Sequence, residues 1–193
     1  MFVGDSITHA DMYPSLVESY YIARFPTNYV TFENSGHSGG TANAALKRYD
    51  YDIANRNADE AIIMFGMNDV GRDNWPLGPT DEGYAEQLAN NQRAIDNCIN
   101  NITTLANKLV AADTAVTLMT PSIYDTREYT ATANYKGCNS GLTEIAEKEK
   151  VLAEDLGLGL INLHDSMNAI NNKVLNSSAE EMISSDRVHP NAK

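Results

Sequence analysis

The sequence predicts an α/β domain built on a parallel sheet of about five strands, with helices on both faces. Three observations predict it. Short apolar, β-rich runs alternate with longer segments of helical period along the 193 residues. The strand candidates are nearly continuous in apolar residues, as strands buried on both faces are. No internal repeat or low-complexity linker breaks the alternation, so residues 1–193 read as one domain.

The first strand candidate is Phe2-Val3, followed at once by Gly4-Asp5-Ser6. A helix of apolar period follows over 13–25, then a strand, "YVTFEN", over 29–34. The segment 41–54 reads as a second helix and "AIIMFG", 61–66, as the third strand. From about Tyr84 to Ala112, the residues Leu88, Ile95, Ile99, Ile102, Leu105 and Leu109 recur mostly in steps of three and four, predicting one long helix. "AVTLMTP", 115–121, is the fourth strand. The segment 141–157 reads as a helix stopped by Gly157, and "LGLINLH", 158–164, as the fifth strand.

Composition narrows the partners. Apolar residues make up 42% and charged residues 21%, as in a globular protein. The formal net charge of -12 argues against nucleic acid and anionic membrane surfaces, which need a basic patch. No apolar run is long enough to span a bilayer. Cys98 falls in an expected helix and Cys138 in an expected loop, so two free thiols are expected, and no Cys/His spacing suggests a metal site. Both ends read as cut, which predicts a domain taken from a longer polypeptide and leaves the compartment open.

In open parallel sheets, ligands bind beyond the carboxyl ends of the strands. The loops there carry polar residues suited to acyl chemistry. Ser6 follows the first strand in a turn that Gly4 permits, near the amide N–H groups of a helix start, where an N-cap serine also belongs. "NSGHSGGT", 34–41, supplies glycine N–H groups, and also matches the G-x-S-x-G elbow around Ser38. That elbow normally has several strands upstream and an HGGG-type loop before it, and neither fits here. "GMND" offers Asn68, whose carboxamide can donate to an oxyanion, an interaction worth about 3 kcal/mol. A lone Asn there also fits an Asx turn or cap. "SDRVHP", 185–190, sets Asp186 three residues before His189, an offset that lets a carboxylate meet the near nitrogen of an imidazole.

These four loops resemble, in order, the four signature blocks of the SGNH hydrolases, also called GDSL esterases/lipases. The first block reads GDSI where the family has GDSL. The resemblance implies a flavodoxin-like three-layer α/β/α sandwich that needs no metal or organic cofactor. It implies Ser6 as nucleophile, His189 as general base and then acid, and Asp186 as its orienting carboxylate. It implies an oxyanion hole formed by the N–H of Ser6, the N–H of Gly39 and the side chain of Asn68.

The expected reaction is ester hydrolysis through an acyl-enzyme. Candidate substrate contacts are Asp5, Arg72, Trp75 and Tyr124, with Arg127 and Tyr129 beside the last. Trp75 can stack on a sugar ring, or pack its own long loop. This polar and aromatic set favours a short acyl group, such as acetyl, on a small-molecule or polysaccharide ester, and a secreted or surface-located bacterial parent protein. A lysophospholipase, thioesterase or arylesterase of the same fold is the alternative, as is a non-catalytic binding domain.

Overall fold

A computed structural model of the protein describes residues 1–127, 133–177, 184 and 186–191. Five parallel strands form one sheet: β1 (Phe2–Gly4), β2 (Asn34–Gly36), β3 (Glu60–Met64), β4 (Ala115–Met119) and β5 (Gly159–Ile161). Their spatial order is β2-β1-β3-β4-β5. The helices are α1 (Ser6–His9), α2 (Met12–Arg24), α3 (Ala42–Lys47), α4 (Tyr84–Val110), α5 (Cys138–Leu156) and α6 (Leu163–Ser177). Helices cover both sides of the sheet, which makes the three-layer α/β/α architecture.

Alternation along β1 shows how the layers are filled. Val3 joins the core cluster built with Ile95, Ile102 and Leu105 of α4 and Leu142 and Ile145 of α5. Phe2 points the other way, edge-on to Tyr13 of α2 at 5.5 Å and stacked on Phe32 at 6.3 Å. The stripe expected on the long helix is real: Ile95, Ile102, Leu105 and Leu109 are buried, and Leu88 and Ile99 pack partly buried against them. Gly157 adopts φ 63° and ends α5, as its position predicts. Among the described residues, no helix is long and apolar enough to cross a membrane.

Four expectations need correction. The second strand covers Asn34–Gly36, not 29–34. Its neighbour β1 offers only three residues, so pairing begins where the Phe2 N–H donates to the Glu33 carbonyl at 2.8 Å. Tyr29 and Val30 are left exposed. The helix expected over 41–54 is regular only to Lys47, then widens into a π turn at Tyr49–Ile53 and tightens at Ala54–Arg56. The wide turn buries both Tyr49 and Ile53. The fifth strand stops at Ile161, because the Asn162 side chain accepts from the Asp165 N–H at 3.2 Å and opens α6. Cys138 begins α5 instead of lying in a loop, and both cysteines are buried free thiols.

Candidate active site

The chain runs from β1 out to β2 and returns to β3 on the far side of β1. The switch point of the sheet therefore lies beyond the carboxyl ends of β1 and β3, and α/β sheets bind ligands at such points. Ser6 and Asn68 emerge there.

The path from β1 into α1 is tight. A Cβ on Gly4 would run into the Thr8 side chain, so only glycine fits. Asp5 is the N-cap: its Oδ1 accepts the Ile7 N–H at 2.9 Å. Ser6 is thereby relieved of the capping role and becomes the first residue of α1, where its own N–H has no intrahelical acceptor. Its hydroxyl meets His189 Nε2 at 2.8 Å.

His189 sits in the last described loop, which Asp186 organises. Asp186 Oδ1 accepts the N–H groups of Val188 at 3.0 Å and His189 at 2.8 Å. Its Oδ2 pairs with His189 Nδ1 at 2.6 Å. Partial burial alone would raise the Asp186 pKa. The bonds from the His189 backbone and ring, then from Val188, outweigh burial and hold the carboxyl far below the usual range. Asp186 thus stays ionised and fixes the ring so that Nε2 faces the serine oxygen. The loop carrying both residues is pinned by Arg187, which is 1% exposed. Arg187 Nη1 donates to the carbonyls of Asp125 at 2.9 Å and Arg127 at 2.6 Å. Ser184 and Pro190 close the loop through an antiparallel bridge.

Facing Ser6 are the loops after β2 and β3. Gly39 is exposed with φ 72°, a conformation that suits glycine, and a Cβ there would meet nothing. Asn68 spans the two loops, its Nδ2 donating to the Gly40 carbonyl at 2.9 Å. Asp69 straps the same loops: it accepts the Ala42 N–H at 2.9 Å and the Gly66 N–H at 3.1 Å. The His37 N–H donates to the Gly4 carbonyl at 3.0 Å and ties the β2 loop to β1. Ser38 is exposed on that loop, while the His189 imidazole lies on Ser6. Arg187 and Asp69 escaped the sequence reading; the buried arginine beside the histidine and the carboxylate after Asn68 were the available signals.

Three candidate substrate contacts are misplaced by that reading. Trp75 is fully buried, with Nε1 donating to the Val70 carbonyl at 2.8 Å, so its ring has no face to offer. Tyr124 is 3% exposed, and its hydroxyl donates to the Ala133 carbonyl at 3.1 Å. Asp5 is 2% exposed beneath α1. Burial pushes its pKa up to about 6, aided by Asp69 and opposed by the Ile7 N–H, His189 and Arg72. For Trp75 and Tyr124 the preference of aromatic side chains for the interior decides, even on loops near a site, whereas Asp5 is drawn in by its capping bond to the Ile7 N–H. Arg72 stays half-buried beside Asn68. Tyr129 and Ser185 lie outside the described residues. A groove of about 640 Å³ between α4 and α5, lined by Asp96, Ile99, Glu144, Lys148, Val151 and Leu152 among others, contains none of the site residues.

A hydroxyl, an imidazole and a carboxylate are thus joined in series at the switch point of a parallel α/β/α sheet, an arrangement chemically able to support acyl transfer. The chain belongs to the GDSL-like lipase/acylhydrolase family, which matches residues 2–193.

Solved structures share the fold. The gut microbial diltiazem-metabolizing enzyme BT4096 superposes with a TM-score of 0.87 at 26% identity over 98% of this chain, which spans 42% of that protein's length. The acetylxylan esterase Axe2 from Geobacillus stearothermophilus gives 0.74 at 21% identity, covering 98% of this chain and 85% of Axe2. LAE5, an alpha/beta hydrolase from the metagenome of Lake Arreo, Spain, gives 0.72 at 21% identity, with 98% and 86% covered. No curated protein matches the sequence.

Proposed function

We propose that the protein hydrolyses short-chain acyl esters, acetyl above all, carried on a carbohydrate, through an acyl-enzyme on Ser6. The observation that carries the reading is the continuous hydrogen-bonded series Ser6–His189–Asp186. His189 Nε2 takes the proton as Ser6 Oγ attacks the acyl carbon. The carbonyl oxygen gains its charge among the N–H groups of Ser6 and Gly39 and the Asn68 amide. Asp186 balances the imidazolium. His189 then passes its proton to the departing alkoxide, the C–O bond breaks, and a water molecule repeats the sequence to free the acid.

The short acyl group is supported by the openness of the edge. His37, Ser38, Gly39 and Asp186 are exposed, and the flanking Asn68 and Arg72 are polar. The carbohydrate is supported by the fold shared with Axe2, an acetylxylan esterase. With Trp75 and Tyr124 buried, sugar stacking no longer contributes.

The test combines a fluorophosphonate label with hydrolysis of p-nitrophenyl acetate, p-nitrophenyl octanoate and acetylated xylan. Stoichiometric labelling of Ser6 and a preference for acetyl esters are expected. Ser6→Ala should lower turnover by about four orders of magnitude or more, and Asn68→Ala should lower kcat roughly a hundredfold. Preference for octanoate would sink the substrate assignment, and absence of label would sink the mechanism.

A further inference from the structure

Arg72 lies against Asn68, and its contacts are those of a clamp. One guanidinium nitrogen, Nη1, donates to the Asn68 side-chain oxygen at 3.0 Å and to the Met67 carbonyl at 3.3 Å. The other end of the same carboxamide is held as well, since Nδ2 donates to the Gly40 carbonyl at 2.9 Å. We propose that Arg72 is a positioning residue for the reaction, acting through Asn68 by fixing and polarising its carboxamide toward the oxyanion, and that it is not a substrate-binding group. The inference rests on the esterase reading above.

The orientation argument is one of donors and acceptors. A carboxamide has one acceptor end and one donor end with two N–H groups. Gly40 takes one N–H, which leaves the second for the oxyanion. If the amide flipped, its oxygen would face the Gly40 carbonyl and its N–H₂ would face the guanidinium. Two attractive contacts would become two repulsive ones. Arg72 and Gly40 together therefore hold the donor end in place before substrate arrives, so little reorganisation is left for the transition state.

Charge adds to orientation. A hydrogen bond from a cation is stronger than a neutral one, and it draws electron density toward the amide oxygen. The N–H groups at the far end become better donors as the oxyanion forms. A neutral donor in place of Arg72 would orient the amide but polarise it less.

The arginine is itself held rigidly. Gly71, with φ 65°, turns the chain into a single 3₁₀ turn at Arg72–Asn74. The turn ends on Trp75, whose N–H donates to the Arg72 carbonyl at 3.1 Å. Trp75 is fully buried and anchored to the Val70 carbonyl. The Asn74 carbonyl accepts from the Asn91 side chain of α4 at 2.7 Å. A buried tryptophan and the long helix thus fix the base from which Arg72 reaches the site.

Steady-state kinetics on p-nitrophenyl acetate test this with the wild type, Arg72→Ala, Arg72→Gln, Arg72→Lys, Asn68→Ala and the Arg72→Ala/Asn68→Ala double variant. Arg72→Ala should lower kcat by about 10- to 100-fold and leave KM within roughly twofold. Lysine should recover more of the loss than glutamine. The double variant should be no slower than Asn68→Ala alone by more than about twofold, since Arg72 has nothing left to orient. The rate of fluorophosphonate labelling at Ser6 should fall in parallel with kcat. A raised KM with kcat intact would assign Arg72 to substrate binding and overturn the proposal, as would full additivity of the two losses. Should Arg72→Ala fail to fold, as judged by circular dichroism, the lysine and glutamine variants carry the same comparison. A wild type that neither turns over nor labels at Ser6 removes the esterase reading, and the inference with it.

Discussion

Ser6 and His189 are 183 positions apart, yet their side chains meet at 2.8 Å. What brings Ser6 to that meeting is a division of labour with its neighbour. Asp5 caps α1, so the serine oxygen is free for the imidazole. The arrangement has a cost in pH dependence. Asp5 has a folded pKa of about 6 against 3.8 for the free side chain. A raised carboxyl pKa means that the folded state holds the proton more tightly, so stability is full below pH 4 and falls as pH rises through 6. Asp5→Asn keeps the cap and removes the titration. Its stability relative to wild type should therefore rise between pH 4 and pH 7, by about 2 kcal/mol. Denaturant midpoints at the two pH values check this, and a difference that stays constant with pH would refute it. At the same scale, Ser38→Ala should keep most of the esterase activity, because the His189 ring is engaged with Ser6.

At the scale of elements, the helix α5 carries an oddity. Glu149 is fully buried, and neither carboxylate oxygen has a hydrogen-bond partner among the described residues. Burial first, and the charge of Asp69 second, push its pKa well above the ordinary value. An unpartnered polar group in the core costs about 1–3 kcal/mol, so Glu149→Met should stabilise the protein by an amount of that order at pH 7. Chemical denaturation measures it, and a destabilised variant would mean that the carboxyl has a partner after all. Elements also show what periodicity conveys. The stripe on α4 announced its buried face because a helix of 27 residues repeats the signal many times. The three residues of β2 repeat nothing, and their boundary was set by how much of β1 there was to pair with.

At the scale of the whole molecule, the site is assembled from loops after β1, β2 and β3 together with the last described loop. The last loop depends on a contact across the chain, because Arg187 is pinned to the Asp125 and Arg127 carbonyls, 62 and 60 positions away. Arg187→Ala should cost about 2–3 kcal/mol of stability through the lost charged hydrogen bonds. Its kcat should fall by roughly tenfold or more, since Asp186 and His189 lose their footing. Thermal melts and kinetics on the same preparation check both, and a stable variant with full activity would remove the pinning role.

The sequence by itself determined the fold class, the order of the strands and helices along the chain, and the four blocks that bear Ser6, Gly39, Asn68, Asp186 and His189. These are local facts: apolar periodicity and turn residues act over a few positions, and short motifs keep their spelling wherever they fold. Only the tertiary structure decided that Trp75 and Tyr124 face inward, that Arg72 holds the amide of Asn68, and that Arg187 fastens the last loop. An aromatic or an arginine on a loop spells the same letter whether it faces water or the core. Which way it turns depends on groups distant in sequence that arrive beside it only when the sheet has formed.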